Sequence, residues 1–240
     1  MSKIFITGSS DGLGQLAAKR LIEEGHQVVL HARNARRAED ALRKVPGAKD
    51  VLIADLTDIE ETRKLAEEAN ALESFDAVIH NAGVFHTSYQ EIFRVNTLAP
   101  YILTCLMRKP ERLIYMSSQM HLHGNPDLDN FERGQASYSD SKLHDVILAK
   151  AVARKWPDVY SNAVNPGWVP TKMGGAGAPD DLQEGFETQV WLAIGEDAKV
   201  SGSYFFHRKE SQYAREADHM GLQEKFIALC EKTTGVRFPE

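Results

Sequence analysis

The sequence predicts an α/β fold: a doubly wound sheet of about seven parallel strands with helices on both faces. Two observations carry that prediction. Short apolar runs alternate with amphipathic helical stretches from residue 3 to about residue 206, the pattern of βαβ units whose strands are buried on both faces. The first apolar run, Ile4-Phe5-Ile6-Thr7, breaks into a glycine-rich turn and then a helical stretch, and right-handed crossovers between such units wind a sheet outward in both directions.

Taken in chain order, the strand at 4–7 leads to a helix at 12–24 with Leu and Ala at helical spacing. Gln27-Val28-Val29-Leu30-His31 forms the second strand, followed by a helix at 35–44. A strand at 51–54 precedes the helix at 59–72, and a strand at 77–80 precedes the long helical pattern at 89–107. The fifth strand, 112–116, is followed by a helix at 137–155, the sixth, 159–163, by a helix at 181–194, and the seventh, 203–206, by a last helix near 221–232. No Pro/Gly/Ser-rich linker, internal repeat or low-complexity segment divides the series, so residues 1–240 read as one domain. Two stretches lack periodicity, 121–135 and 172–180, and both lie toward the carboxyl ends of strands, where ligands bind in open α/β sheets. They are expected to wall a substrate pocket.

A chain of 240 residues with 42% hydrophobic composition can bury a large core. The net charge of -6 and the lack of a Lys/Arg-rich block argue against nucleic acid as a partner. Met1-Ser2-Lys3 runs straight into an apolar strand and no apolar run approaches 18 residues, so neither a membrane partner nor a signal peptide is expected, and the predicted location is cytoplasmic. Cys105 and Cys230 belong to no C-x-x-C pair and read as buried thiols; His121-x-His123 has no further ligands at metal spacing, so no metal site is expected.

Candidate functional residues begin at Gly8-Ser9-Ser10-Asp11-Gly12-Leu13-Gly14. Glycine lets backbone approach a pyrophosphate, and a helix start supplies free N–H groups and a positive dipole end. The Gly-x-x-x-Gly-x-Gly spacing differs from the Gly-x-Gly-x-x-Gly fingerprint of the general Rossmann dinucleotide fold. Strand two ends in Ala32-Arg33 with no carboxylate. A guanidinium there suits a 2′-phosphate, so NADP(H) is preferred, with NAD(H) the alternative. Farther along, Tyr138 and Lys142 are four apart. On a helix they share a face, where an ammonium favours an ionised phenol and so suits it to acid/base work.

Taken together, these residues resemble the single-domain short-chain dehydrogenase/reductases, and the resemblance covers nearly the whole chain. The segment from Thr7 to Gly14 is similar to that family's cofactor turn. Asp55-Leu56 is similar to its adenine-contacting pair, and Asn81-Ala82-Gly83 to its Asn-Asn-Ala-Gly motif with His80 in place of the first Asn. Asn96, Ser118, Tyr138 and Lys142 match its catalytic set, while Pro166-Gly167-Trp168-Val169-Pro170-Thr171 matches the segment that closes on the nicotinamide. The twenty residues from Ser118 to Tyr138 exceed the usual spacing and resemble the branch with retinol dehydrogenase-like and WW-domain oxidoreductase-like members.

The resemblance implies an NADP(H)-dependent oxidoreductase that moves hydride between nicotinamide and a small or medium carbonyl or alcohol. Tyr138 would be the acid/base and Lys142 its electrostatic partner and ribose ligand; Ser118 would orient the substrate oxygen, and the backbone of Asn96 would hold a relay water. The alternative is a non-catalytic NADP(H)-binding regulatory or sensor protein, which would need only the glycine turn and the ribose site. Family members often pair through the helices matching 89–107 and 137–155, implying a homodimer or homotetramer.

Overall fold

The computed structural model describes residues 1–239. Parallel strands β1 (Lys3–Ile6), β2 (Gln27–Ala32), β3 (Asp50–Ile53), β4 (Ala77–His80), β5 (Arg112–Met116), β6 (Tyr160–Asn165) and β7 (Tyr204–Phe206) lie in the order β3-β2-β1-β4-β5-β6-β7. A two-residue strand β8, Lys209–Glu210, adds antiparallel to β7 and closes that edge. The helices are α1 (Gly12–Glu23), α2 (Ala35–Lys44), α3 (Ile59–Leu72), α4 (Tyr89–Ile92), α5 (Ala99–Leu106), α6 (Tyr138–Lys155), α7 (Leu182–Ile194) and α8 (Met220–Thr234).

The sheet is buried on both sides, and its strands show why. Phe5, Val29, Val78 and Leu113 enter one core with α3, α5, α6 and α8. Their strand neighbours Ile4, Ile6, Val28, Leu30, Ile79 and Ile114 enter the other with α1 and α7. Alternate side chains of one strand point to opposite faces, so the continuous apolar runs in the sequence are what a two-faced parallel sheet needs.

Two elements differ from the sequence expectation. The helical pattern at 89–107 is broken: Phe93–Leu98 is a π-helical turn between α4 and α5. Pro100 carries no N–H to donate to the Asn96 carbonyl four residues back, so an α-helical ladder cannot close there. The Asn96 side chain is in turn drawn sideways, its Oδ1 accepting from Val84 N–H at 2.8 Å and its Nδ2 donating to Val84 O at 3.0 Å. β8 was also unanticipated. Its turn places His207 and Arg208 at φ 49° and 60°, a left-handed pair usually supplied by Asn-Gly.

The parallel strands deliver Gly8 to Asp11, Arg33, Asp55, Asn81 to Gly83, Ser117 and Ser118, and Pro166 to one edge. The strand order reverses between β1 and β4, the switch point at which a crevice opens. On one face α8 packs against α6, burying Phe226, Ile227 and Cys230.

Candidate functional site

A cleft of about 430 Å³ opens at this switch point. At its floor the turn after β1 is held from the two neighbouring strands, β4 and β2. Gly8, at φ +64°, packs so closely on Ala82 that a Cβ would fall 2.7 Å from the Ala82 Cα. Asn81 Nδ2 donates to Thr7 O at 2.9 Å and to Gly8 O at 3.2 Å, and Ala82 N–H donates to Thr7 Oγ1 at 3.0 Å. A Cβ on Gly14 would collide with the Asn81 amide, which explains the glycine inside α1.

His31 supplies a link that sequence reasoning missed. Its Nδ1 accepts from Gly8 N–H at 2.9 Å and its Nε2–H donates to Ala54 O at 3.0 Å, tying the first turn to the end of β3. Burial pushes the imidazole down to about 4, so it is neutral and keeps the tautomer these bonds require.

At the start of α1, Asp11 caps Gly12 N–H at 2.9 Å and pairs with Lys172 and, at 3.5 Å, with Arg37. Burial raises its carboxyl, but Lys172, the Gly12 N–H and Arg37 outweigh this and hold it below the usual carboxylate range. Arg37 also donates from Nε to Ser10 Oγ at 3.2 Å. The Lys172 pair bridges the cleft from the 166–181 segment to the glycine turn, and the cleft wall includes Met173 beside it. Arg37 carried no motif, and only the fold brings it to the cleft; Lys172 and Met173 belong to the 172–180 stretch expected to wall a pocket, whereas no residue of the other expected wall, 121–135, lines this cleft.

Of the residues proposed from sequence, Gly8, Ser10, Asp11, Gly12 and Leu13 line the cleft on the first turn. Arg33, Asp55 and Leu56 line it after β2 and β3, and Asn81, Ala82 and Gly83 after β4. Tyr138, Lys142, Pro166 and Thr171 complete this set. Gly14, Asn96, Ser118, Gly167 and Val169 stand behind the wall or beside it. Ser117 lines the cleft where Ser118 does not, and its hydroxyl is buried and donates to Lys142 O at 2.7 Å. Ser118 is half-buried, and its Oγ accepts from Met120 N–H at 3.2 Å. Successive residues leaving β5 point to opposite sides, which separates the two hydroxyls.

Tyr138 is the first residue of α6. Ser137 caps the helix, and Asp140 returns the contact in a capping box. Asp140 also accepts from Asn125 N–H at 2.9 Å, fastening the long segment after β5 to the helix start. Lys142 stands one turn on, its Nζ 5.6 Å from the centroid of the Tyr138 ring, and Phe85 packs on that ring at 4.5 Å between centroids. Asn96 Nδ2 donates to Ser141 Oγ at 3.1 Å, and Ser141 Oγ–H donates to Tyr138 O at 2.8 Å, so Asn96 braces the turn that carries the phenol.

Lys142 is buried, with Nζ donating to Met116 O at 2.6 Å and to Asp145 Oδ2 at 2.9 Å. Burial pulls the ammonium down, but the charges of Asp145 and Tyr138 outweigh it and hold Lys142 above its ordinary value. Burial also pushes the Asp145 carboxyl up to about 6 against the pull of Lys142.

The residues fit a dinucleotide. Gly8 and Gly12 line the cleft with bare backbone, α1 presents its amino end to it, and Arg33 and Arg37 stand at its β2 side. Among the described residues, no group of three or more His, Cys, Asp and Glu could hold a metal, and no helix is long and apolar enough to cross a membrane.

Comparison with known proteins agrees with this geometry. The family model described as short chain dehydrogenase matches residues 2–181. Over 254 residues the chain is 49% identical to Uncharacterized oxidoreductase AN7799 of Emericella nidulans, covering 100% of this chain and 99% of that protein. It is 27% identical over 287 residues to Retinol dehydrogenase 14 of Mus musculus, covering 97% and 86%, in keeping with the branch the sequence resembles. A crystal structure of an uncharacterized protein from Mycobacterium Paratuberculosis superposes with a TM-score of 0.84 at 25% identity, covering 100% of this chain and 96% of that one.

Proposed function

The chain belongs to the short-chain dehydrogenase family, and from that premise we propose that it is an NADP(H)-dependent oxidoreductase acting on a small or medium carbonyl or alcohol. On this reading residues 1–240 work as one domain in the cytoplasm. The observation that carries it is the convergence of Tyr138 and Lys142 on the cleft wall opposite the Gly8 turn.

A bound nicotinamide dinucleotide supplies or receives the hydride. The chain supplies position, charge and the proton. Tyr138 gives its phenolic proton to the substrate oxygen in reduction and takes it back in oxidation. The Lys142 ammonium stabilises the phenolate and, with the one N–H not given to Met116 and Asp145, holds a ribose hydroxyl. Ser118 orients the substrate oxygen, its chain neighbour Ser117 lining the cleft. The carbonyl of Asn96, which Pro100 cannot satisfy, carries a relay water. Gly8, Gly12, Leu13, Asn81 to Gly83, Pro166, Gly167, Val169 and Thr171 shape the dinucleotide groove, and Asp55 and Leu56 meet its base.

Preference for the 2′-phosphate is supported by Arg33 and Arg37, both of which border the cleft where β2 ends. The homodimer or homotetramer expected from the resemblance would pair away from the α6 face that α8 covers; a sizing column tests this.

NADPH consumption across aldehydes, ketones and quinones tests the function, with Tyr138→Phe as control. We expect turnover by the wild type and a loss of at least about a hundredfold in kcat for the variant, with NADPH affinity kept. NADPH binding without turnover on any carbonyl would instead favour the sensor.

A further inference from the structure

Asp145 has no place in the proton and hydride steps above, yet it is one of the most deeply buried carboxylates in the molecule, at 3% exposure. It lies three residues beyond Lys142 on α6, and its Oδ2 sits 2.9 Å from the Lys142 Nζ, itself in a residue 5% exposed. The other titratable neighbours on the packed elements are uncharged at neutral pH. Burial raises Tyr115 of β5 and Cys105 of α5. Cys230 of α8 is raised likewise. His80 of β4 is pushed down to about 3, and His121 of the segment after β5 and His144 of α6 are lowered too. Burial and Tyr138 raise Tyr204 of β7; the Tyr138 ring faces Lys142 from the first turn of α6. Lys142 therefore has one carboxylate partner, and the pair is enclosed.

An ammonium has three N–H groups and no acceptor. Two are committed, to Met116 O and Asp145 Oδ2, and these two bonds aim the third. An ammonium taken out of water without a counter-ion sheds its proton, and a neutral amine cannot stabilise a phenolate.

We propose that Asp145 is the positioning residue of the site: it aims the Lys142 ammonium and keeps it charged in a dry environment, so that the field Lys142 offers Tyr138 depends on Asp145. This rests on the oxidoreductase reading for its catalytic consequence but not for its physical content. Removing the carboxylate lowers the pH at which Lys142 gives up its proton, and the alkaline limb of turnover moves with it.

The decisive measurement is an NMR titration of the lysine side chains in cofactor-free protein, with Lys142 assigned by Lys142→Met. Asp145→Asn, which keeps shape and a hydrogen-bond acceptor, is expected to lower the Lys142 midpoint by at least about one pH unit. The alkaline limb of the kcat profile for alcohol oxidation should shift by a similar amount, and Asp145→Glu should restore both in part. An unmoved lysine midpoint in folded Asp145→Asn overturns the proposal, as does a fallen midpoint with an unmoved alkaline limb. If Asp145→Asn does not fold, Asp145→Glu carries the test: keeping the charge but displacing it should reduce kcat at least about tenfold, and unchanged turnover overturns the positioning role. A protein that turns over no carbonyl or alcohol would sink the oxidoreductase reading, while the lysine titration would still decide the coupling.

Discussion

At Gly8 two requirements meet in one residue: a left-handed backbone, φ +64°, and a contact with the Ala82 backbone that leaves no room for a Cβ. Gly8→Ala therefore adds conformational strain of about 1–2 kcal/mol and overpacking of about 1–3 kcal/mol. We expect a loss of roughly 2–5 kcal/mol in urea unfolding, together with weaker NADPH binding by fluorescence titration. Unchanged stability would show that the turn relaxes away from Ala82. Motif residues such as Gly8, Asn81 and Lys142 were legible because their chemistry needs a residue type at a spacing. Arg37, Lys172 and Asp145 were not, since an arginine on α2, a lysine in an irregular segment and an aspartate on α6 have no local signature. Each acquires its role from a partner: Ser10 for Arg37, Asp11 for Lys172, Lys142 for Asp145.

Among the elements, the break in the 89–107 helix shows local chemistry overruled by a single missing donor. Apolar periodicity runs unbroken through the segment, but Pro100 opens the ladder at Asn96 and the Asn96 amide crosses to Val84. The β7–β8 hairpin makes the opposite point. His207-Arg208 lacks the Asn-Gly signature of a left-handed turn; Arg208 N–H donates to Thr188 Oγ1 at 3.0 Å and His207 Nδ1 lies 3.3 Å from Glu184, so contacts with α7 hold the turn. Arg208→Gly should remove the strain at φ 60° while forfeiting a half-exposed ion pair to Glu187 at 3.4 Å. Because such a pair contributes little and the strain about 1–2 kcal/mol, a net gain of roughly 0.5–1 kcal/mol is expected in urea unfolding, with turnover unaffected. A loss of stability would mean that the ion pair outweighs the strain.

For the whole molecule, the buried imidazoles set the acid limit. Burial lowers His31 and His144 to about 4 and His80 to about 3. Each has a folded value below its unfolded one of about 6.5. Their contribution to stability is therefore complete above about pH 6.5 and is lost as pH falls toward 4. Asp145 works the other way, since a carboxyl raised to about 6 takes up its proton in the folded state first. These three protons against one leave a net slope near two, roughly 3 kcal/mol per pH unit at its steepest between about pH 6 and pH 4, and the lowered His26 and His121 act in the same direction. Urea unfolding at a series of pH values checks this, and a flat profile would contradict it. The sequence by itself determined the doubly wound α/β layout and most of the cleft lining, because strand periodicity, glycine spacing and the Tyr138/Lys142 interval are local properties of the chain. Only the tertiary structure decided that Ser117 faces the cleft, that Lys172 reaches across it, that α8 covers α6, and that Lys142 shares its burial with Asp145. Those depend on what strands and helices distant in sequence bring within a few ångströms, where burial multiplies the strength of each charge.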